Sequence, residues 1–349
     1  MVIDLLKELI AIPSVSGAEG TIAQFVFDRL ASFGLSPKRK GDNVWCVVGS
    51  GKGPKILLNS HLDTVPAGSE WKREPYEPTE EGGKIFGLGS NDAKSSVAAL
   101  ITTVSNLKNE ISKHNGTIVL AITCNEEMGR MGLETVIEEL KPLDAGIVGE
   151  PNGMKICVAQ KGVLILDFSW TGIGAHAAHG TTDHALKKCM QDLIALSELR
   201  FGKSDPFLGE TRLEVTQLHA GERKNVIPDS ATATVDIRYT PVYDSEEILG
   251  KIRAAVRGEV RVYSDRRRAI RTDPASQIVK AAQAAQPGIP LVGSGTSSDW
   301  VFLSGIPSIK MGPGDTRRSH TADEFVEVSQ VTKAVEIYSE TVRRFLRDS

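Results

Sequence analysis

The chain has 349 residues, 40% of them hydrophobic. That is enough for about two domains with buried cores, which excludes a small stapled module and a disordered tail. Its 41 Lys and Arg against 44 Asp and Glu leave a net charge of −3, so no basic field exists to recruit nucleic acid or an anionic membrane, and small molecules or other protein surfaces are the expected partners.

Cys46, Cys124, Cys157 and Cys189 stand far apart with no C-x-x-C pair. Neither a thiolate metal knot nor a disulfide framework is expected, and a reducing cytoplasm fits. Met1–Ile12 mixes Asp4, Lys7 and Glu8 with apolar residues and lacks a small-residue cleavage site. It reads as a docked amphipathic helix ended by Pro13 and not as a secretory signal. Ser16-x-x-Glu19 has the form of a capping box, opening a helix with Ile22, Phe25, Val26 and Phe33 near one face and Gly34 at its stop. Lys55–Asn59, Thr117–Thr123 and Ala145–Val148 are expected as buried strands, and Asn91–Asn106 as a helix with Val97, Leu100, Ile101 and Val104 at helical spacing. This alternation predicts a mainly parallel sheet covered by helices.

After Gln160 the rhythm changes to a strand (Val163–Trp170), a helix (Thr182–Leu199) and two strands (Arg212–Leu218, Ala231–Tyr239). A helix (Ser245–Val256) and a strand (Glu259–Tyr263) follow. That β-α-β-β-α-β order is the ferredoxin-like split arrangement. From about Asp273 helix and strand return. The expected architecture is an α/β domain of residues 1–162 and 270–349 interrupted by an inserted α+β domain of residues 163–269, with Arg266–Arg268 a solvated linker at the return crossing. No apolar run approaches the roughly 18 residues of a membrane span.

The chemistry-bearing residues fall at the ends of these strands. His61-x-Asp63 follows an expected strand, and residues two apart on an extended segment face the same way, so Asp63 can position His61 as a metal ligand. Taken singly, the pair is better explained by a surface imidazole near a carboxylate. Asp92 follows the glycine-rich turn Gly87-x-Gly89-Ser90-Asn91, which lacks the order of a dinucleotide or P-loop phosphate cradle. Glu126 and Glu127 end another strand; adjacent acids alone usually mark a solvated turn. Glu150 closes Val148-Gly149-Glu150-Pro151, and His320 lies in a loop after Ser308–Met311. Ligands bind at that strand edge in open α/β sheets. As a set, two histidines and three or four carboxylates suit a pair of divalent ions, zinc foremost, with cobalt or manganese as substitutes. One carboxylate must then bridge, with a water or hydroxide sharing that role.

From His61 to His320, in order and approximate spacing, these motifs resemble the di-zinc peptidase family M20. The resemblance implies a catalytic domain of the zinc-peptidase type with an inserted lid and dimerisation domain, hence a homodimer. It implies that His61, Asp92 and Glu150 hold one ion, that Asp92, Glu127 and His320 hold the other, that Glu126 is the general base and that Asp63 orients His61. Asn125 stands where many members have Asp, and Ser95 where Gly is common; neither is a ligand position. Gly172-Ile173-Gly174-Ala175-His176-Ala177-Ala178 is similar to the lid motif whose histidine stabilises the oxyanion, which points to His176, with His179 as the fallback. Asn225 and Arg238 match positions that contact substrate, Arg238 being suited to an α-carboxylate; its bland alternative is an ion pair with Asp236.

The implied reaction is removal of an Nα-acyl group from an amino acid by a metal-bridging hydroxide. Stretches such as Gly87–Ala93, Lys310–Asp315 and Ser319–Phe325 resemble acetylornithine deacetylase-like members, and Gln160-Lys161-Gly162 has one basic residue where desuccinylases have two. N-acetyl-ornithine, in arginine biosynthesis, is therefore the expected substrate, with Asp315 or Glu324 as candidate partner for its ammonium, although surface acids after a loop are more often simply solvated. The alternatives are a desuccinylase of N-succinyl-diaminopimelate or N-succinyl-ornithine, an acyl-lysine hydrolase and a carboxypeptidase of the same family. A non-catalytic dimeric metal-binding scaffold and a dehydrogenase are the alternatives from other classes.

Overall fold

A computed structural model describes residues 1–113, 115–129 and 131–348. The chain divides into two compact units, one of Met1–Val158, Thr272–Val292 and Ser298–Ser349, the other of Ala159–Arg271 and Gly293–Ser297.

The first unit is built on a mixed sheet with a parallel centre. Thr117–Thr123, Lys55–His61, Ala145–Val148 and Ser308–Lys310 lie side by side in that order, all parallel. Antiparallel strands flank them, Asn43–Gly49 beside Thr117–Thr123 and Ile156–Gln160 beside Ser308–Lys310. The parallel strands are buried almost throughout because helices cover them, which is why they read as continuous apolar runs without alternation. Helix Lys94–Ile111 packs on the strands and against Val328–Asp348, which in turn packs on Gln277–Ala285. Among the described residues no helix is long and apolar enough to cross a membrane.

The second unit is a four-stranded antiparallel sheet in the order Arg212–Ala220, Ser230–Tyr239, Gly162–Thr171, Glu259–Arg267, with helices Ala185–Glu198 and Ser245–Ala255. Burial alternates along Gly162–Thr171 and Ser230–Tyr239. One face thus contributes Phe168, Trp170, Val235 and Ile237 to a core shared with Leu196, Ile248 and Ile252.

Three local expectations give way. The helix expected from Asn91 begins at Lys94, where Ala93 before it is non-helical at φ −128°, and the N–H groups of Asn91 and Asp92 go to the Glu324 carboxylate. Ser16 and Glu19 form no capping box: helix Gly20–Ser32 has no side-chain cap, and both residues bond to other loops. Arg266 and Arg267 are not linker but the end of strand Glu259–Arg267, and Arg267 donates to the Ser297 carbonyl.

Just after strand Ser308–Lys310, the close approach of Gly312 to the Glu150 backbone leaves room only for glycine. A Cβ on Gly312 would lie 2.6 Å from the carbonyl oxygen of Glu150 and 2.9 Å from its nitrogen. Gly312→Ala should therefore destabilise the fold by about 1–3 kcal/mol through overpacking; urea denaturation checks this, and a wild-type midpoint would contradict it.

Candidate metal centre

Four parallel strands deliver the candidate residues from the same edge of the sheet. His61 ends Lys55–His61, Glu126 and Glu127 follow Thr117–Thr123, Glu150 follows Ala145–Val148, and the loop after Ser308–Lys310 leads to His320. Asp92 comes from the turn before helix Lys94–Ile111. The carboxyl edge of a parallel sheet is where ligands gather, and all these residues belong to the first unit.

The side chains converge. His61 Nε2 lies 3.3 Å from Asp92 Oδ1 and 3.8 Å from Glu150 Oε1. His320 Nε2 lies 2.8 Å from Glu127 Oε1 and 3.9 Å from Asp92 Oδ2. One carboxylate thus turns an oxygen to each imidazole. Ligand atoms of His61, Asp92 and Glu127 lie within 4.8 Å of one another, as do those of His61, Glu126 and Glu150. Neighbouring Glu126 and Glu127 therefore both reach the cluster. An all-nitrogen-and-oxygen donor set of this density fits divalent ions of the zinc, cobalt or manganese type.

The charges respond to this crowding. Burial pushes the Glu150 carboxyl up to about 7, with the charges of Asp92 and Glu127 adding to it. Burial also opposes charge on His61, but its hydrogen bonds to Asp63 and Asp92 win and hold it well above the ordinary imidazole value. The Glu127 hydrogen bond raises His320 to about 9. Asp92 feels the same burial penalty, outweighed by His61, Ser319 and His320, so its carboxyl stays below the usual range. A cation would replace the protons these imidazoles take up.

Supporting residues fix the geometry through the main chain. His61 Nδ1 donates to the Asp63 carbonyl at 3.1 Å, which leaves Nε2 for the cluster. The Asp63 carboxylate, 3.5 Å from that nitrogen, accepts from the backbone N–H groups of Glu126 and Glu127, both at 3.0 Å, and from the Ser16 hydroxyl at 2.7 Å. Asp63 therefore aims the adjacent glutamates as well as His61, and with Ser16 and His61 bonded to it its carboxyl lies at about 2 despite burial. Glu19 accepts from the Asn125 N–H at 2.8 Å. Asn125 has φ 55°, and this left-handed conformation suits the Asn present here as well as Asp, so the departure at this position is a local exchange.

Glu324, buried, accepts from Gly89, Asn91 and Asp92 N–H groups at 2.9, 2.8 and 2.8 Å. The left-handed φ of 77° at Gly89 serves that turn. Asp315 is held by Arg317, whose hydrogen bond lowers its carboxyl to about 2. Both acids expected to meet a substrate ammonium are thus already engaged. Ser16, Glu19 and Glu324 were visible in sequence only as local features, since their partners lie up to 235 residues away.

In the second unit, His176 and Asn225 come together: Ala175–His176 pairs with Val226–Ile227, and the Ala177 N–H donates to the Asn225 carbonyl. The His176 and His179 rings are 5.8 Å apart. Arg238 makes a two-pronged ion pair with Asp236 at 2.7 and 2.9 Å, and it lines a cavity of about 640 Å³ together with Lys161 and Arg212.

The family model for peptidase family M20/M25/M40 matches residues 57–344. The chain is 29% identical over 373 aligned positions to a succinyl-diaminopimelate desuccinylase of Psychromonas ingrahamii, covering 99% of this chain and 98% of that protein. Its fold matches the crystal structure of aminopeptidase PepT from Bacillus cereus with a TM-score of 0.81 at 20% identity, over 99% of this chain and 98% of that one. It likewise matches YXEP of Bacillus subtilis, described as a dinuclear metal-binding peptidase of family M20, with a TM-score of 0.76 at 17% identity, over 99% and 98% of the two chains. With its candidate ligands gathered at one sheet edge and the family match spanning most of its length, the chain belongs to peptidase family M20/M25/M40.

Proposed function

We propose that this protein hydrolyses the amide bond of an N-acyl amino acid, with a dicarboxylic acyl group of the succinyl type favoured. The observation that carries the amide-hydrolase reading is Asp92, whose two oxygens address His61 and His320 separately, as a carboxylate shared by two ions must. His61 and Glu150 would hold one ion, Glu127 and His320 the other, and Asp92 both. When bound, such a pair, zinc by preference, polarises the amide carbonyl and makes water more acidic.

The chain's own residues supply the rest. Glu126, 6% exposed and anchored by its backbone to Asp63, takes a proton from the attacking water and passes it to the departing amine as the C–N bond breaks, giving a free amino acid and a carboxylate. His176 donates to the oxygen on which negative charge develops. Asn225 and Arg238 contact the substrate.

The acyl preference rests on two observations. Relatives similar to this chain are named succinyl-diaminopimelate desuccinylases. Within the inserted unit, Arg212 lines the same cavity as Lys161 and Arg238; with Arg238 paired to Asp236 and Lys161 donating to the Glu210 carbonyl, Arg212 is the further basic residue proposed for a second carboxylate. The acetyl-ornithine reading is weakened, because Asp315 and Glu324 are committed to Arg317 and to backbone N–H groups. The enzyme works as a homodimer through the inserted unit, whose edge strand Arg212–Ala220 is exposed over most of its length.

Glu126→Gln should lower kcat by about 10²–10⁴-fold while calorimetry still detects ion binding; wild-type turnover would remove Glu126 from the mechanism. In a metal-replete panel of N-succinyl-diaminopimelate, N-acetyl-ornithine, N-acetyl-lysine and a dipeptide, the succinyl substrate should give the highest kcat/KM. Preference for acetyl-ornithine would overturn the acyl assignment and leave the amide hydrolase standing.

A further inference from the structure

The loop carrying Asp92 and the loop carrying His320 come from parts of the chain more than two hundred residues apart, yet their side chains must keep one spacing for a shared pair of ions. Besides the weaker bond from Asn91 Nδ2 to the Ser319 hydroxyl at 3.4 Å, two sets of contacts join the loops among the described residues. The Glu324 carboxylate spans the turn, with one oxygen accepting from Gly89 and the other from both Asn91 and Asp92. In return the Gly87 N–H donates to the Glu324 carbonyl at 3.0 Å. On the other side of His320, Asn91 donates through Nδ2 to the Asp315 carbonyl at 3.1 Å and accepts from the Asp315 N–H at 2.8 Å. His320 itself sits between these contacts at φ 60°, in the left-handed region.

Glu324 is 2% exposed. A buried carboxylate with three N–H donors is a fixed object: both oxygens are used, and a neutral amide in its place would turn an NH₂ group toward an N–H. Lys94, fully buried beneath the same turn, donates to the Ile12 carbonyl at 3.0 Å.

We propose that Glu324 is a positioning residue, a clasp that locks the Asp92 turn to the His320 loop and so sets the geometry in which one carboxylate serves two ions. The proposal rests on the metal-centre reading above. Partners of metal ligands typically tune affinity by 10–100-fold without binding the ion themselves.

The test is a titration of metal-free protein with zinc followed by calorimetry, together with the visible absorption of the cobalt-substituted protein. Wild-type protein should take up two ions per chain. Glu324→Gln should bind ions about 10–100-fold more weakly and show an altered cobalt spectrum, with a circular dichroism spectrum like wild type. Glu324→Asp, which keeps both acceptors on a shorter arm, should fall between the two, and it carries the same readout should the glutamine variant fail to fold. Wild-type affinity and an unchanged cobalt spectrum in whichever of these variants folds would overturn the clasp alone. Wild-type protein that binds no ion would overturn the metal centre, and the clasp with it.

Discussion

The constraint on which the site depends is the crowding of negative charge at one sheet edge. Asp63, Asp92, Glu126, Glu127 and Glu150 meet two imidazoles there among the described residues, with His61, Asp63 and Glu126 buried and Asp92, Glu127 and Glu150 partly so. Even with both rings protonated the carboxylates outnumber the positive charges, and like-charged groups removed from water at such distances repel strongly. The protein's response is visible in the raised pKa values of Glu150, His61 and His320, which all move toward binding protons. Divalent cations relieve the same stress with more charge in less space, which ties the order of this cluster to ion binding.

Around the cluster the fold gives three supporting carboxylates backbone N–H partners. Asp63 takes those of Glu126 and Glu127, Glu19 takes that of Asn125, and Glu324 takes three from the glycine turn. Asp63 and Glu19 both hold the loop after Thr117–Thr123, and Glu324 holds the turn before helix Lys94–Ile111, so the ligand-bearing backbone is fixed by buried side-chain carboxylates. The parallel strands beneath supply a rigid base, being buried on both faces.

Much of this was legible in the sequence. Thr117–Thr123 and Ala145–Val148 appear as strands with the bounds their apolar runs suggested, because short uninterrupted apolar runs are what a doubly covered parallel strand requires. The cluster residues were legible because each stands just past such a run. Local signals failed where a residue's partner is distant. Ser16 and Glu19 match the spacing of a capping box, but tertiary contacts with Asp63 and Asn125 claim both side chains. Glu324 looked like a surface acid after a loop, and nothing within ten residues announces that its partners are Gly89, Asn91 and Asp92. The pairing of Arg238 with Asp236 was readable, since residues two apart on a strand share a face.

The central claim is that Asp92 stands between two ions. Anomalous diffraction from crystals of zinc-loaded protein tests it most directly: two peaks about 3.5–4 Å apart, one on each side of the Asp92 carboxylate, are expected. A single peak, or peaks remote from Asp92, would contradict the account.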